Sequence, residues 1–245
     1  SRVGGLIGSG KTSTEHTLTV RNCANYGTVV DLGSSGTSNL GGIVGHCYGM
    51  TTKNCTIQNS VNYGAFEFAG DTSLLYIGGI AGITYFNTVF ENCVFDGTFK
   101  SKRGGYFGNV VGGMYSTTIT NCYWSDTAGY NAYGYISTSY VFDSSKFNRN
   151  TFELSEEVSA KNYTGKSLIA ALNTLADFYA LRDYSHWLLN KDKHTVSFTV
   201  NERDSTISQS QIVLLPGFTS DGKMWFDGWY TDKACTRPLT HFEIT

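Results

Sequence analysis

The sequence predicts a mainly β protein whose first half is a solenoid. Three observations support this fold class: the composition, a motif that occurs four times, and a single clear helical pattern. Only 16% of the 245 residues are charged and 14% are aromatic, and 28 glycines stand against 2 prolines. Many short strands joined by tight turns have this composition, which favours an all-β surface protein.

The repeated motif has two blocks. The first reads GGLIG, GGIVG, GGIAG and GNVVG and begins at Gly4, Gly41, Gly78 and Gly108, with spacings of 37, 37 and 30 residues. The second reads VRNCANYGTV, IQNSVNYGAF, FENCVFDGTF and ITNCYWSDTA and begins at Val20, Ile57, Phe90 and Ile119. Constant blocks at unequal spacing are typical of a solenoid. A unit this short buries too little apolar surface to fold alone, so we expect about four stacked coils over residues 1–126, about 4.8 Å apart.

Stacking predicts columns of equivalent side chains. One column is Asn22, Asn59, Asn92 and Asn121, and its neighbour is Cys23, Ser60, Cys93 and Cys122. Stacked amides hydrogen-bond along such a column, as in cross-β structures, and small, weakly polar side chains suit the interior beside it. A metal site is the alternative interpretation of the cysteines, but close cysteine pairs and a supporting histidine are missing. We therefore expect a structural ladder and no bound metal.

The blocks GG[IL]xG and xxNCxNxGxV resemble the GLUG-type repeats of bacterial and protist surface proteins. This resemblance covers about half of the chain and implies a right-handed parallel β-helix. The fourth copy departs from the pattern, with Asn109 in place of the second glycine and NCYWSD in place of NCxNxG. The large side chains of Tyr123 and Trp124 predict a cap there, because an uncovered parallel edge invites aggregation.

Residues 127–193 are predicted to form a cap and a helix-containing connecting segment. Apolar positions follow helical spacing at Leu168, Ala171, Leu172, Leu175 and Tyr179. Thr164 or Ser167 is suited to cap the start of this helix, which we expect to pack on strands. The following HWLLNKDKHTVSFTV predicts two strands around a polar turn at residues 190–193.

The last segment, residues 194–245, contains FDGWYTDKAC. This string resembles the Listeria–Bacteroides repeat, also called the internalin B-repeat type, with matching residues Phe226, Asp227, Gly228, Trp229, Tyr230, Thr231, Asp232 and Cys235. The resemblance implies an extracellular stalk module with a small β-grasp-like fold. The terminal LYxxW strand and the usual NGG turn are missing, so we expect the module to be truncated.

One segment matches a nucleotide-binding motif. Residues 5–12, GLIGSGKT, satisfy GxxxxGK[ST], which requires a preceding strand and a following helix to hold phosphates. The residues after Lys11 are strand-like, and the same positions of the other copies, GIVGHCYG, GIAGITYF and NVVGGMYS, contain no lysine. We therefore expect neither nucleotide binding nor any other cofactor.

Catalysis on polysaccharides is the main alternative to a passive role, because parallel β-helices also host lyases and glycoside hydrolases. Such sites need two carboxylates about 5–9 Å apart or a calcium cluster. The acids of the first 126 residues are dispersed, with Glu67 and Asp71 or Glu91 and Asp96 as the nearest pairs. The five histidines have neither metal spacing nor a triad arrangement. We therefore expect no enzyme and assign no catalytic residue.

The cysteines and two N-glycosylation sequons provide information about the cellular compartment of the chain. Cys47 and Cys55 flank a short GMTTK excursion and are the candidate disulfide, while Cys23 and Cys93 lie two coils apart, beyond the reach of one. Asn54 and Asn162 head Asn-x-Thr sequons, which are glycosylated only in a eukaryotic secretory pathway.

Taken together, these features predict a non-catalytic extracellular stalk or adhesion module. The expected partner is a glycan or a surface protein, engaged through repeated weak contacts. The net charge of −2 without a basic run argues against nucleic acid, and no window approaches the roughly 18 apolar residues of a membrane helix. The sequence begins inside a repeat at Ser1, so we expect a fragment of a larger secreted or surface-anchored chain. A polysaccharide-active enzyme and a purely structural filament module remain alternatives.

Overall fold

The computed structural model describes most of the residues up to 137 and shorter segments of the chain after that. The described residues are 1–33, 36–50, 52–69, 74–100, 104–124, 130–137, 152–153, 169, 172–173, 185–190, 196–200, 203–207, 212–215, 230–232, 234–239 and 243–244. The chain divides into two compact units, Ser1–Val158 and Ser159–Thr245. Each unit is therefore described by itself.

The first unit consists of short strands. They are β1 (Arg2–Gly4), β2 (Ile7–Lys11), β3 (Leu18–Arg21), β4 (Ala24–Asn25), β5 (Val29–Asp31), β6 (Thr37–Gly41), β7 (Val44–Tyr48), β8 (Cys55–Gln58), β9 (Val61–Asn62), β10 (Phe66–Phe68), β11 (Leu74–Gly78), β12 (Ala81–Glu91), β13 (Val94–Phe95), β14 (Tyr106–Gly108), β15 (Val111–Thr120), β16 (Tyr123–Trp124), β17 (Tyr133–Ile136) and β18 (Phe152–Glu153).

These strands pair in parallel from one repeat to the next. The sheet orders are β1-β6-β11-β14, β2-β7-β12-β15-β17, β4-β9-β13-β16-β18 and β5-β10, while β8 pairs with both β3 and β12. The register is set by the repeat itself, since Gly4 pairs with Gly41, Gly41 with Gly78 and Gly78 with Gly108. The chain is therefore mainly β with parallel sheets, as the sequence predicts.

The core is a set of apolar columns, each made of one side chain per repeat. Val20, Ile57, Phe90 and Ile119 are successive Cα partners, and at most 6% of each is exposed. Ile43, Ile80 and Val110 form a second buried column, whereas Leu6 of the first repeat is 48% exposed. Leu6 has a described neighbour on one side only, because β1 and β2 are edge strands of their sheets.

The predicted cap at Tyr123 and Trp124 is wrong. Strand β16, which holds both residues, pairs with β13 on one side and with β18 on the other. Strand β15 of the fourth repeat likewise pairs with β17. A fifth set of parallel strands therefore follows the four copies of the motif, and the expected number of about four stacked units is too low. Neither β17 nor β18 carries the glycine pair or the Asn-Cys pair, so the motif did not reveal them.

The second unit contains a small mixed sheet and a hairpin. Its strands are β19 (Trp187–Asn190), β20 (Val196–Val200), β21 (Arg203–Ile207), β22 (Ile212–Leu214) and β23 (Glu243–Ile244). Strand β19 pairs antiparallel with β22 and parallel with β23, while β20 pairs antiparallel with β21. The two strands predicted around the polar turn at residues 190–193 are thus present, and each pairs with a different partner.

The division into two units differs from the predicted segments 1–126, 127–193 and 194–245. Strands β17 and β18 belong with the fourth repeat, and β19 joins the end of the predicted connecting segment to the C-terminal residues. Ile169, Leu172 and Asn173 are helical, and all three are buried. The rest of the predicted helix and Phe226–Trp229 lie outside the described residues. Among the described residues, no helix combines the length and apolar character needed to cross a membrane.

Candidate functional site

The predicted asparagine column forms a continuous chain of side-chain hydrogen bonds. Nδ2 of Asn59 donates to Oδ1 of Asn22 at 2.7 Å, Asn92 donates to Asn59 at 2.6 Å, and Asn121 donates to Asn92 at 2.6 Å. All four residues also have left-handed backbone angles, with φ between 45° and 56°. Asparagine tolerates this region better than most residues, so the same side chain serves both the turn and the ladder.

A second asparagine column, which the sequence analysis missed, begins three residues later. Nδ2 of Asn25 donates to Oδ1 of Asn62 at 2.8 Å, and Nδ2 of Asn62 donates to the carbonyl of Gly79 at 2.9 Å. In the next repeats this column continues as Phe95 and Trp124. The NxG spacing of the first two copies was the available signal, and the change to aromatic residues obscured it.

The neighbouring cysteine and serine column makes hydrogen bonds to the backbone of its own and adjacent repeats. Ser60 Oγ donates to the carbonyl of Gln58 at 2.7 Å and accepts a bond from the backbone nitrogen of Cys23. Cys23, Cys93 and Cys122 are free thiols. Burial, followed by the neighbouring Cys122, raises the pKa of the Cys93 thiol well above its ordinary value. A buried protonated thiol is a poor nucleophile and a poor metal ligand. The described residues also hold no group of three or more His, Cys, Asp and Glu side chains arranged for a metal ion.

Cys47 and Cys55 are joined in a disulfide, with Cα atoms 6.7 Å apart and both residues fully buried. The bridge joins β7 to β8 across a turn in which Met50 and Lys53 form an antiparallel bridge. Asn54, beside Cys55, is exposed. Asn162 lies outside the described residues.

Replacing both cysteines of this disulfide by serine is expected to lower the free energy of unfolding by about 2–3 kcal/mol, because the open chain gains conformational freedom when unfolded. Urea denaturation of the wild type and of the Cys47→Ser/Cys55→Ser variant measures the difference. Dithiothreitol should destabilise the wild type and leave the variant unchanged. Five or six free thiols in the denatured, unreduced wild type would contradict the assignment.

The largest set of side chains that the sequence analysis missed is a group of tyrosines on two adjoining sheets. Two columns carry them, and each begins with a basic residue: Arg2, Asn39, Tyr76 and Tyr106 on one sheet, and Lys11, Tyr48, Tyr85 and Tyr115 on the other. The rings stack along both columns, with centroids 5.1 Å apart for Tyr76 and Tyr106 and 4.4 Å apart for Tyr85 and Tyr115.

Tyr135 connects the two columns. Its ring centroid lies 4.9 Å from that of Tyr106 and 6.1 Å from that of Tyr115. Gly113 provides space for this arrangement, because a Cβ atom at that position would lie 2.6 Å from the ring of Tyr76. Tyr106 is 36% exposed and the other rings are partly buried. We call this group the tyrosine face: Tyr48, Tyr76, Tyr85, Tyr106, Tyr115 and Tyr135.

The tyrosine face carries no acidic or basic side chain, and the two columns that contain it have Arg2 and Lys11 at the same end. Burial, followed by the neighbouring Tyr85 and Tyr135 phenols, raises the pKa of Tyr115 to about 12, and burial likewise raises that of Tyr76. These hydroxyls are therefore neutral hydrogen-bonding groups near pH 7. Lys11 Nζ lies 5.3 Å from the ring centroid of Tyr48, a favourable cation–π distance. Neither column contains Asp or Glu.

His46 lies between the two columns. Its Nδ1 is hydrogen-bonded to Ser9 Oγ at 3.1 Å, and its ring centroid lies 5.5 Å from that of Tyr85. Burial, and secondarily the positive charge of Arg2, lower the pKa of His46 to about 4. The imidazole is therefore neutral near pH 7 and adds no charge to this surface.

The depressed pKa of His46 predicts a pH-dependent stability. The unfolded chain binds a proton near the ordinary pKa of 6.5 and the folded chain only near 4, so the contribution is complete above pH 6.5 and is lost as the pH falls towards 4. Since a tenfold change in proton affinity is worth about 1.4 kcal/mol, the loss is at most about 3 kcal/mol. Urea midpoints at pH 7.5 and 4.5 should differ less for His46→Gln than for the wild type. A variant of the exposed His16, His16→Gln, serves as the control, and an unchanged pH dependence in His46→Gln would contradict the prediction.

The segment that matches a nucleotide-binding motif is a strand. Residues 7–11 form β2, and Ile7 and Lys11 pair with Val44 and Tyr48. No helix follows within the described residues 1–33, so the helix N-terminus that would hold phosphates is missing from this part of the chain.

A glycan-cleaving site would require acidic side chains, and the structure shows the contacts of two candidates, Glu91 and Glu67. Oε2 of Glu91 accepts a hydrogen bond from Gln58 Nε2 at 3.2 Å, and Gln58 in turn accepts one from Arg21 at 3.1 Å. Glu67 forms an exposed ion pair with Lys100 at 2.5 Å. Asp71 and Asp126 lie outside the described residues. Glu91 and Glu67 are therefore each engaged with an amide or a cation in their own columns.

No protein-family model matches the chain, and neither a curated protein nor a solved structure matches it. The resemblances to GLUG-type and Listeria–Bacteroides repeats therefore rest on the motif residues and stay predictions.

Proposed function

We propose that the strands of the first unit, β1 to β18, form a parallel β-helix, right-handed as the resemblance to GLUG-type repeats implies. Each repeat contributes strands to the same parallel sheets in constant register, and the asparagine column joins four repeats by side-chain hydrogen bonds. In this fold every repeat contacts its neighbours only, so one can be removed without disturbing the rest.

Deletion of residues 41–77 tests this proposal. The deletion removes one 37-residue repeat and joins Leu40 to Gly78, the register partner of Gly41. We expect the shortened chain to keep its β circular dichroism and to unfold cooperatively. The control removes residues 41–58, which shifts the register and should abolish folding. A collapsed 41–77 deletion would oppose a repeat architecture.

We further infer that the chain is a non-catalytic extracellular stalk or adhesion module that presents a surface to a glycan or to a surface protein. The observation that carries this proposal is the in-register array, which holds the partly exposed tyrosine face on two adjoining sheets. A rigid surface loses little conformational entropy on binding. The Cys47–Cys55 disulfide is in keeping with an oxidising compartment.

A glycan array and a reducing-sugar assay on the same sample test this function. We expect binding without sugar release. Release that disappears in the Glu91→Gln/Asp96→Asn variant would make the chain a polysaccharide-active enzyme. Filaments of the purified chain in electron micrographs, without ligand binding, would favour the structural alternative.

A further inference from the structure

We propose that the tyrosine face binds an acidic polysaccharide, with Arg2 and Lys11 holding a carboxylate and the tyrosines contacting the sugar units that follow. This inference deepens the proposed function, on which it rests, by naming the surface and the chemical class of the glycan.

The charge distribution favours an anionic ligand. Arg2 and Lys11 are both exposed and occupy the same end of the two columns, one on each sheet. The neutral His46 lies between these columns and is close enough to Arg2 for its charge to affect the imidazole. Neither basic residue has an ion-pair partner among the described residues. An anion at this end can therefore approach either cation without displacing an acidic side chain of the described residues.

The uncharged part of the tyrosine face suits the remainder of a sugar chain. Phenolic groups recur from repeat to repeat at the strand spacing of about 4.8 Å, which is the scale of a monosaccharide unit. Tyr106, Tyr115 and Tyr135 offer apolar ring surface and phenolic hydroxyls together. A tyrosine presents both an apolar body and a polar tip, and a sugar has C–H faces and hydroxyl groups to match them.

Other ligand classes fit this surface less well. A nucleic acid needs many phosphate contacts for useful affinity, and the two columns provide two cations. A purely apolar peptide would cover the phenolic hydroxyls without hydrogen-bonding them, which carries a desolvation penalty. An acidic glycan satisfies both the cations and the hydroxyls.

The rings are already held in place by their own packing in the absence of a ligand, which favours binding. Tyr76 and Tyr106 stack on each other, as do Tyr85 and Tyr115, and Gly113 leaves room for the ring of Tyr76. Side chains that are already held in place lose less rotamer freedom when a ligand binds. The face is therefore organised by its own packing.

The test measures retardation of the full chain in native gels cast with polygalacturonate, dextran or heparin. We expect retardation by polygalacturonate and little by dextran, and we expect added salt to weaken it because the contacts at Arg2 and Lys11 are exposed. The Arg2→Gln/Lys11→Gln variant should lose about tenfold in affinity. Tyr106→Ala should lose about fivefold to tenfold, because a stacked aromatic anchor is removed.

Two matched controls lie outside the tyrosine face. Lys100→Gln removes an exposed lysine that pairs with Glu67, and Tyr26→Ala removes an exposed tyrosine stacked on Tyr63 at 4.9 Å. Both should bind within twofold of the wild type. Circular dichroism and urea midpoints show whether each variant is folded.

Each outcome decides between alternatives. Stronger retardation by heparin than by polygalacturonate would support the same binding surface but overturn the carboxylate as the bound group in favour of a sulfate. Equal retardation by dextran overturns the role of the two cations, and equal losses in the control variants overturn the location. No retardation by any of the three polysaccharides overturns the inference. Sugar release accompanied by binding at this face would overturn the non-catalytic function and leave the binding inference standing.

Discussion

Gly78→Ala is expected to unfold the first unit or to destabilise it by more than about 4 kcal/mol. A Cβ atom at this position would lie 1.9 Å from the carbonyl oxygen of Ala81 and 2.6 Å from the backbone nitrogen of Gly112. Both obstacles are backbone atoms, so no side-chain rotation relieves the clash. The same crowding occurs at Gly41 and Gly108, which explains why the first glycine of the block recurs in every copy.

Circular dichroism at 20 °C and urea denaturation measure this effect, and Gly104→Ala is the matched control. A Cβ atom at Gly104 would meet no atom within 4 Å, so this substitution should change the midpoint little. A Gly78→Ala variant as stable as Gly104→Ala would contradict the tight turn between β11 and β12.

The repeat made most of the first unit predictable. The first glycine of one block and the asparagine of the other recur in all four copies, and the structure pairs the strands in the register that their alignment implies, as at Val20, Ile57 and Phe90. The fifth set of strands was not predictable, because Tyr133–Ile136 pairs through its backbone without repeating the motif. Backbone pairing needs no particular side chain, so a parallel ladder can continue where its sequence signature ends.

The tyrosine face was not predictable for a different reason. Its residues stand outside the repeated blocks: Tyr48, Tyr85 and Tyr115 follow a glycine block, Tyr76 and Tyr106 precede one, and Tyr135 lies after the fourth copy. Its two columns also lie on different sheets. Tyr76 and Tyr135 are 59 positions apart in the chain, yet their ring centroids lie 6.0 Å apart. Only the angle between adjoining sheets brings them together, and the motif spacing contains no information about that angle.

Two physical causes favour asparagine at the four positions of the ladder, and the sequence indicated only the hydrogen bonds. Its four members were identified by alignment and expected to hydrogen-bond along the column. Their left-handed backbone angles, including φ of 45° at Asn59, were not inferred, although asparagine is enriched in that region. The two causes make different predictions for substitutions, and that difference can be measured.

Asn59→Ala is expected to lower the free energy of unfolding by about 2–5 kcal/mol. Asn59 is fully buried, donates to Asn22 and accepts from Asn92. Alanine removes both bonds, and a buried amide that loses its partner costs about 1–3 kcal/mol. Alanine in the left-handed region adds about 1–2 kcal/mol.

Asn59→Gly separates the two contributions, because glycine removes the same hydrogen bonds but adopts a positive φ freely. We expect it to be about 1–2 kcal/mol more stable than Asn59→Ala and still clearly less stable than the wild type. Equal midpoints for the two variants would mean that the backbone angle contributes nothing to stability. A glycine variant as stable as the wild type would mean that the hydrogen bonds of the ladder contribute nothing. The Asn59→Gly/Asn92→Gly double variant completes the cycle: a loss smaller than the sum of the single losses shows that the two amides stabilise the array through each other.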